Sequence, residues 1–113
     1  MKRTLYITTE QRKHVNRVLN ETAAKYGATP NDIIKPSKRV ALVNMKREFW
    51  ARLLWEADLT VTWAARFARR DHTTIIHAMR QIGKENYGLP YKSSLEEIGA
   101  VWKAHHLAWR EAA

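Results

Sequence analysis

Arg70 to Ala78 read R-D-H-T-T-I-I-H-A, and no other stretch of this chain groups so much donor and acceptor chemistry. A cation, a carboxylate, an imidazole and two hydroxyls follow one another in Arg70, Asp71, His72, Thr73 and Thr74, and an apolar run begins at once. When a helix lies in the major groove of duplex DNA, its first turn holds the side chains that reach base edges. There Asp71 can accept from a cytosine amino group, His72 can donate to guanine N7 or O6, and the Thr73 methyl suits a thymine methyl. Asp and Thr are also preferred helix caps, so a plain capped helix explains the same letters taken alone.

Helices must position these groups, because the chain has almost no strand signal. Thr8 with Gln11 forms a capping-box pattern, and Val15, Val18, Leu19, Thr22, Ala23 and Tyr26 recur at helical spacing until Gly27. Thr29 before Pro30 suits the cap and first residue of a short helix over Asn31 to Ile34, which Lys35 and Pro36 stop. A basic loop, Lys35-Pro36-Ser37-Lys38-Arg39, leads to a second long helix from about Val40 to Ala57. Its stripe is Leu42, Met45, Phe49 and Leu53, with Trp50 and Leu54 alongside.

Asp58 to Thr60 reads as a turn, with Thr60 capping a short helix that holds Val61, Trp63, Ala64 and Phe67. Ala68 to Arg70 turns tightly into the next helix, whose inner face reads as Ile75, Ile76, Met79 and Ile82. Over 60–86 this is a helix-turn-helix. After a connector to Lys92, Ser94 with Glu97 caps a last helix over 93–112 carrying Leu95, Ile98, Val101, Trp102, His105 and Trp109. The fold expected is all-α, a helical bundle with a helix-turn-helix and an extra C-terminal helix.

With 113 residues the chain is read as one domain with one modest core. The net charge of +9 favours a polyanionic partner, and it is unevenly spread. Residues 35–52 carry +5 through Lys35, Lys38, Arg39, Lys46, Arg47 and Arg52 against Glu48. Residues 66–84 carry +4 through Arg66, Arg69, Arg70, Arg80 and Lys84 against Asp71, whereas 92–113 balance to zero. A basic face opposite a neutral one is the expected footprint of nucleic-acid binding.

The motif R-D-H-T-T-[IV]-x-H-A resembles the signature of the C-terminal DNA-binding domain of DnaA, the bacterial replication initiator, in the Trp-repressor-like helix-turn-helix superfamily. The similarity extends through Phe67 of F-A-R-R-D, R-E-F-W-A-R-L-L at Arg47 to Leu54, and A-A-K-Y-G-A-T-P-N-D-I-I at Ala23 to Ile34. It covers a core of 16–82. The resemblance implies base contacts from Asp71, His72 and Thr73 in the major groove, and from Arg39 of the basic loop in the adjacent minor groove. An AT-rich minor groove concentrates negative potential, which suits an arginine. It also implies backbone contacts from Lys38, Arg47 and Thr74, and the basic neighbours Lys35, Lys46, Arg69 and Arg70, with Thr60, are read as lying along the phosphates. Such contacts set register and salt dependence rather than sequence.

The chain departs from the family pattern in places. Glu48 replaces a glutamine, so its carboxylate repels phosphate unless Arg47 or Arg52 neutralises it. Ala68 and Arg69 replace two glycines, which removes a residue suited to φ > 0 and alters the turn. Thr62-Trp63-Ala64 replace a slimmer E-I-G, and the segment from Glu48 to Asp71 is two residues shorter.

No phosphate loop of the G-x-x-x-x-G-K-[ST] kind is present, and Gly27, Gly83, Gly88 and Gly99 form no cradle. His72 and His77 do not share a helix face, His105 and His106 diverge, and no nucleophile grouping stands out, so no metal, cofactor, small-molecule substrate or catalysis is expected. His77 reads as a packed or capping residue. Zero cysteines suit a reducing compartment, no run is long enough for a membrane span, and residues 1–10 lack a signal-peptide core. The reading is a cytoplasmic, nucleoid-associated, free-standing regulator of transcription or replication that binds double-stranded DNA at a DnaA-box-like AT-rich site, in the host cytoplasm if phage-encoded. The five tryptophans read as core. Trp102, His105 and Trp109 also form a stripe on the last helix, which leaves an alternative: a homodimer or protein-interaction module docking on a replication initiator or the transcription machinery.

Overall fold

Thr8 begins the first helix as its spacing to Gln11 implies: its hydroxyl accepts from the Gln11 N–H at 3.0 Å, and the Gln11 side chain accepts from the Thr8 N–H at 3.0 Å. In the computed structural model, residues 7–35 and 40–112 are described, with side chains over 7–35 and 42–106. Among the described residues there are six helices and no strand: α1 Thr9–Lys25, α2 Pro30–Ile34, α3 Val40–Trp55, α4 Val61–Ala68, α5 His72–Tyr87 and α6 Leu95–Ala112. The protein is an all-α bundle. No described helix is long and apolar enough to cross a membrane.

The central element is α3, against which every other helix packs. Three of the four stripe residues, Met45, Phe49 and Leu53, are fully buried with Trp50 and Leu54 beside them, while Leu42 is partly buried at the edge of the core. The helix ends at Trp55 rather than Ala57, because Asp58 turns into the left-handed region at φ 56° and the Leu59 N–H returns to the Leu53 carbonyl at 3.0 Å. Asp is among the few non-glycine residues enriched there. Thr60 then caps α4, its hydroxyl accepting from the Trp63 N–H at 3.1 Å.

The inner face of α5 is Ile75, Ala78, Met79, Ile82 and Gly83. Ile76, read as part of that face, is only half-buried, since it lies about 100° round the helix from Ile75. The small residues Ala78 and Gly83 take the contact instead. A Cβ on Gly83 would lie 3.1 Å from Ile98 of α6, so glycine here permits close helix approach. At Gly99 a Cβ would lie 2.5 Å from the Trp55 indole nitrogen. Ile98 and Trp102 are buried, and the Trp102 ring packs 5.7 Å from that of Trp55. The described part of α6 thus rests on α3 and α5 through its apolar face. Trp50, Trp55, Trp63 and Trp102 all lie in one core, while the Trp109 side chain falls outside the described residues.

Candidate nucleic-acid interface

Between α4 and α5 the chain reverses in a tight turn. Arg69 adopts φ 56°, ψ 45°, and the Arg69 and Arg70 N–H groups close on the carbonyls of Arg66 (3.2 Å) and Ala65 (2.9 Å). The left-handed residue that the missing glycines imply is therefore present, supplied by an arginine. Asp71 is extended at φ −72°, ψ 154°, and helix begins at His72.

Asp71 occupies the N-cap position, yet its side chain makes no capping hydrogen bond. The plain-cap explanation for this carboxylate therefore does not hold. Asp71, His72, Thr73 and Thr74 are all exposed at the tip of α5, while Ile75 directly after them is fully buried. Backbone register fixes this division, because the core face begins at Ile75 and the preceding turn projects past it. His72 is steadied from the neighbouring helix, its Nε2 lying 3.1 Å from the Thr62 hydroxyl. Nothing in the sequence spacing pointed to Thr62.

The cations sort into groups that sequence alone does not separate. Arg69 and Arg70 flank the tip, exposed and without an ion pair among the described residues, and Lys35 is exposed at the end of α2. Arg47 is half-buried, its Nη1 3.7 Å from the Glu85 carboxylate. Lys46, expected along the phosphates, is not an exposed cation: it is 4% exposed and its ammonium donates to the Lys35 carbonyl. Thr60 spends its oxygen on the α4 cap and stays exposed. Lys38 and Arg39 lie outside the described residues.

Glu48 is neutralised by neither Arg47 nor Arg52. Lys25 of α1 pairs with it at 2.5 Å. Arg52 instead bridges Glu56 (2.5 Å) and Glu21 (2.7 Å). Burial opposes its charge, but these two carboxylates outweigh that and raise its pKa above the usual arginine value. Arg52 thus ties α1 to α3 and leaves the basic face.

His77 packs without being a cap: it is exposed, its Nδ1 2.5 Å from the Tyr91 hydroxyl and the two rings edge-on at 5.6 Å. The Arg80 guanidinium lies 5.7 Å over the other part of that cluster, the Tyr91 ring. Tyr91 comes from the α5–α6 connector and covers the outer face of α5 one turn beyond the tip, so the freely projecting polar residues are those of the first turn. Its only sequence signal was an aromatic residue in a stretch that otherwise reads as connector. No protein-family model, curated protein or solved structure matches this chain.

Proposed function

We propose that this protein reads duplex DNA in the manner of a DnaA C-terminal domain, with the first turn of α5 in the major groove and Arg39 in the adjacent minor groove. The observation that carries the reading is the uncapped, exposed Asp71 followed by exposed His72 and Thr73, a donor and acceptor row projecting beyond a buried core face. Arg69, Arg70, Thr74, Arg47 and Lys35 run along the phosphates beside it. The site is AT-rich and DnaA-box-like, and occupying it regulates transcription or replication that starts there. The rival reading, docking through the C-terminal helix, draws on Trp102, His105 and Trp109; of these Trp102 is 3% exposed and belongs to the core, while His105 is exposed.

Fluorescence anisotropy on a box-containing duplex and a scrambled one, across a salt series, tests this. We expect preference for the box and a log–log salt slope of about 0.9 per phosphate neutralised. Arg39→Ala should weaken box binding by about tenfold. Equal affinity for both duplexes, in wild type and variant alike, overturns the reading.

Arg69→Gly separates the fold from the interface. A left-handed conformation costs an L-residue about 1 kcal/mol that glycine does not incur. The variant should therefore unfold at higher urea concentration while binding DNA less tightly, through loss of one cation. Tighter or unchanged DNA binding would remove Arg69 from the interface.

A further inference from the structure

A cleft of about 180 Å³ opens between α3 and α5, with apolar walls from Val43, Trp50 and Ala78 and polar ones from Lys46, Arg47, Arg70, Thr74 and His77. Lys46 is its buried wall, at 4% exposure. A lysine this deep ordinarily faces a carboxylate. Lys46 has no ion pair among the described residues, and the sequence from Pro36 to Arg39 contains no acidic residue. Of the several N–H donors an ammonium carries, one is met by the Lys35 carbonyl.

Arg70 contributes a second cation. Burial first, and then the Arg70 charge, holds the Lys46 pKa below the usual lysine value. Arg47 leans toward Glu85, so that carboxylate is already engaged. What remains is two cations and a Thr74 hydroxyl around one small space, with the His77 Nδ1 turned to the Tyr91 hydroxyl and no carboxylate among the lining residues. The space is below the roughly 300–1,000 Å³ of sites that enclose a whole small-molecule ligand. It suits a single tetrahedral oxyanion, for which ammonium, guanidinium and hydroxyl donors are the natural partners.

We infer that the α3–α5 cleft is a seat for one phosphate group, with Lys46 at its floor and Arg70 and Thr74 at its rim. That the phosphate belongs to a DNA backbone rests on the function proposed above; the seat itself does not. A backbone phosphate held there, beside the α5 tip, would fix how far α5 advances into the groove.

Lys46→Met tests it, since methionine keeps the length and apolar stem of the side chain and removes a buried charge. Thermal unfolding of the full chain is compared in sodium phosphate and in sodium chloride of equal ionic strength. Phosphate should raise the wild-type midpoint by several degrees more than it raises that of Lys46→Met, since general salting effects act on both alike. On the box duplex the variant should bind about tenfold more weakly, with the salt slope reduced by about one and box preference unchanged. A lost phosphate increment with an unchanged salt slope supports the seat and assigns it to free phosphate instead of DNA. A wild type that shows the increment but binds no duplex supports the seat and overturns the DNA reading. Equal increments in wild type and variant overturn the seat.

Discussion

Replacing Trp102 by alanine is expected to lower the free energy of unfolding by about 3–5 kcal/mol. The indole is 3% exposed, 5.7 Å from the Trp55 ring, and stacked on His106 at 4.3 Å. Gly99, one turn earlier, lets α6 come close enough for Trp55 to sit against its backbone. Truncation therefore opens a cavity between α3 and α6 that a glycine-lined contact cannot readily refill. For a domain of this size such a loss is a large part of total stability. Urea unfolding with sedimentation on the same samples gives the answer. A variant of unchanged stability but altered association state would mean that Trp102 serves a partner surface, which favours the rival function.

Much of this architecture was legible because local chemistry and the tertiary fold agree. Thr8, Thr29 and Thr60, each read as a cap, all accept a backbone N–H from the first turn of their helices, and the Met45, Phe49 and Leu53 stripe is the centre of the core. The helix-turn-helix likewise follows from the break between two apolar periods. What was not legible depends on distance or on exceptions to propensity. Arg69 takes a left-handed conformation that sequence assigns to glycine, and only the closing bonds to Ala65 and Arg66 reveal why it is held there. Lysine reads as surface, yet Lys46 is buried because the end of α2 brings a carbonyl to its ammonium. Ile76 outranks Ala78 and Gly83 in hydrophobicity, but it lies off the face that packs inward, and at Gly83 the close approach of Ile98 of α6 favours a residue with no side chain. The Lys25–Glu48 pair joins residues 23 positions apart, beyond any helical spacing rule.

The candidate site divides in the same way. Which residues face outward at the tip of α5 follows from the helical period alone. How they are held does not: Thr62 supports His72 from α4, and Tyr91 covers His77 from a connector. The charge census also overstated the basic face, since Arg52 is committed to Glu21 and Glu56.

The second large effect concerns discrimination. Asp71→Ala and His72→Ala are each expected to reduce the preference for a box over a scrambled duplex by about 1–3 kcal/mol. Their stability effects should be small, and for Asp71 this is diagnostic. A capping aspartate changed to alanine ordinarily costs about 0.5–2 kcal/mol, but the Asp71 side chain makes no cap bond. Asp71→Ala should therefore unfold within about 0.5 kcal/mol of wild type, the range of an ordinary surface change. Anisotropy competition and urea titration on the same preparations separate the two properties. Lost stability with retained discrimination would return Asp71 to the role of a plain cap.

The most direct measurement is selection of bound duplexes from a fully randomised library, run in parallel with wild type and His72→Ala. Wild type should enrich one AT-rich consensus, and His72→Ala should relax it at one or two adjacent positions while the rest persists. Wild-type selection that enriches nothing, or a consensus identical in both proteins, would contradict base reading by the tip of α5.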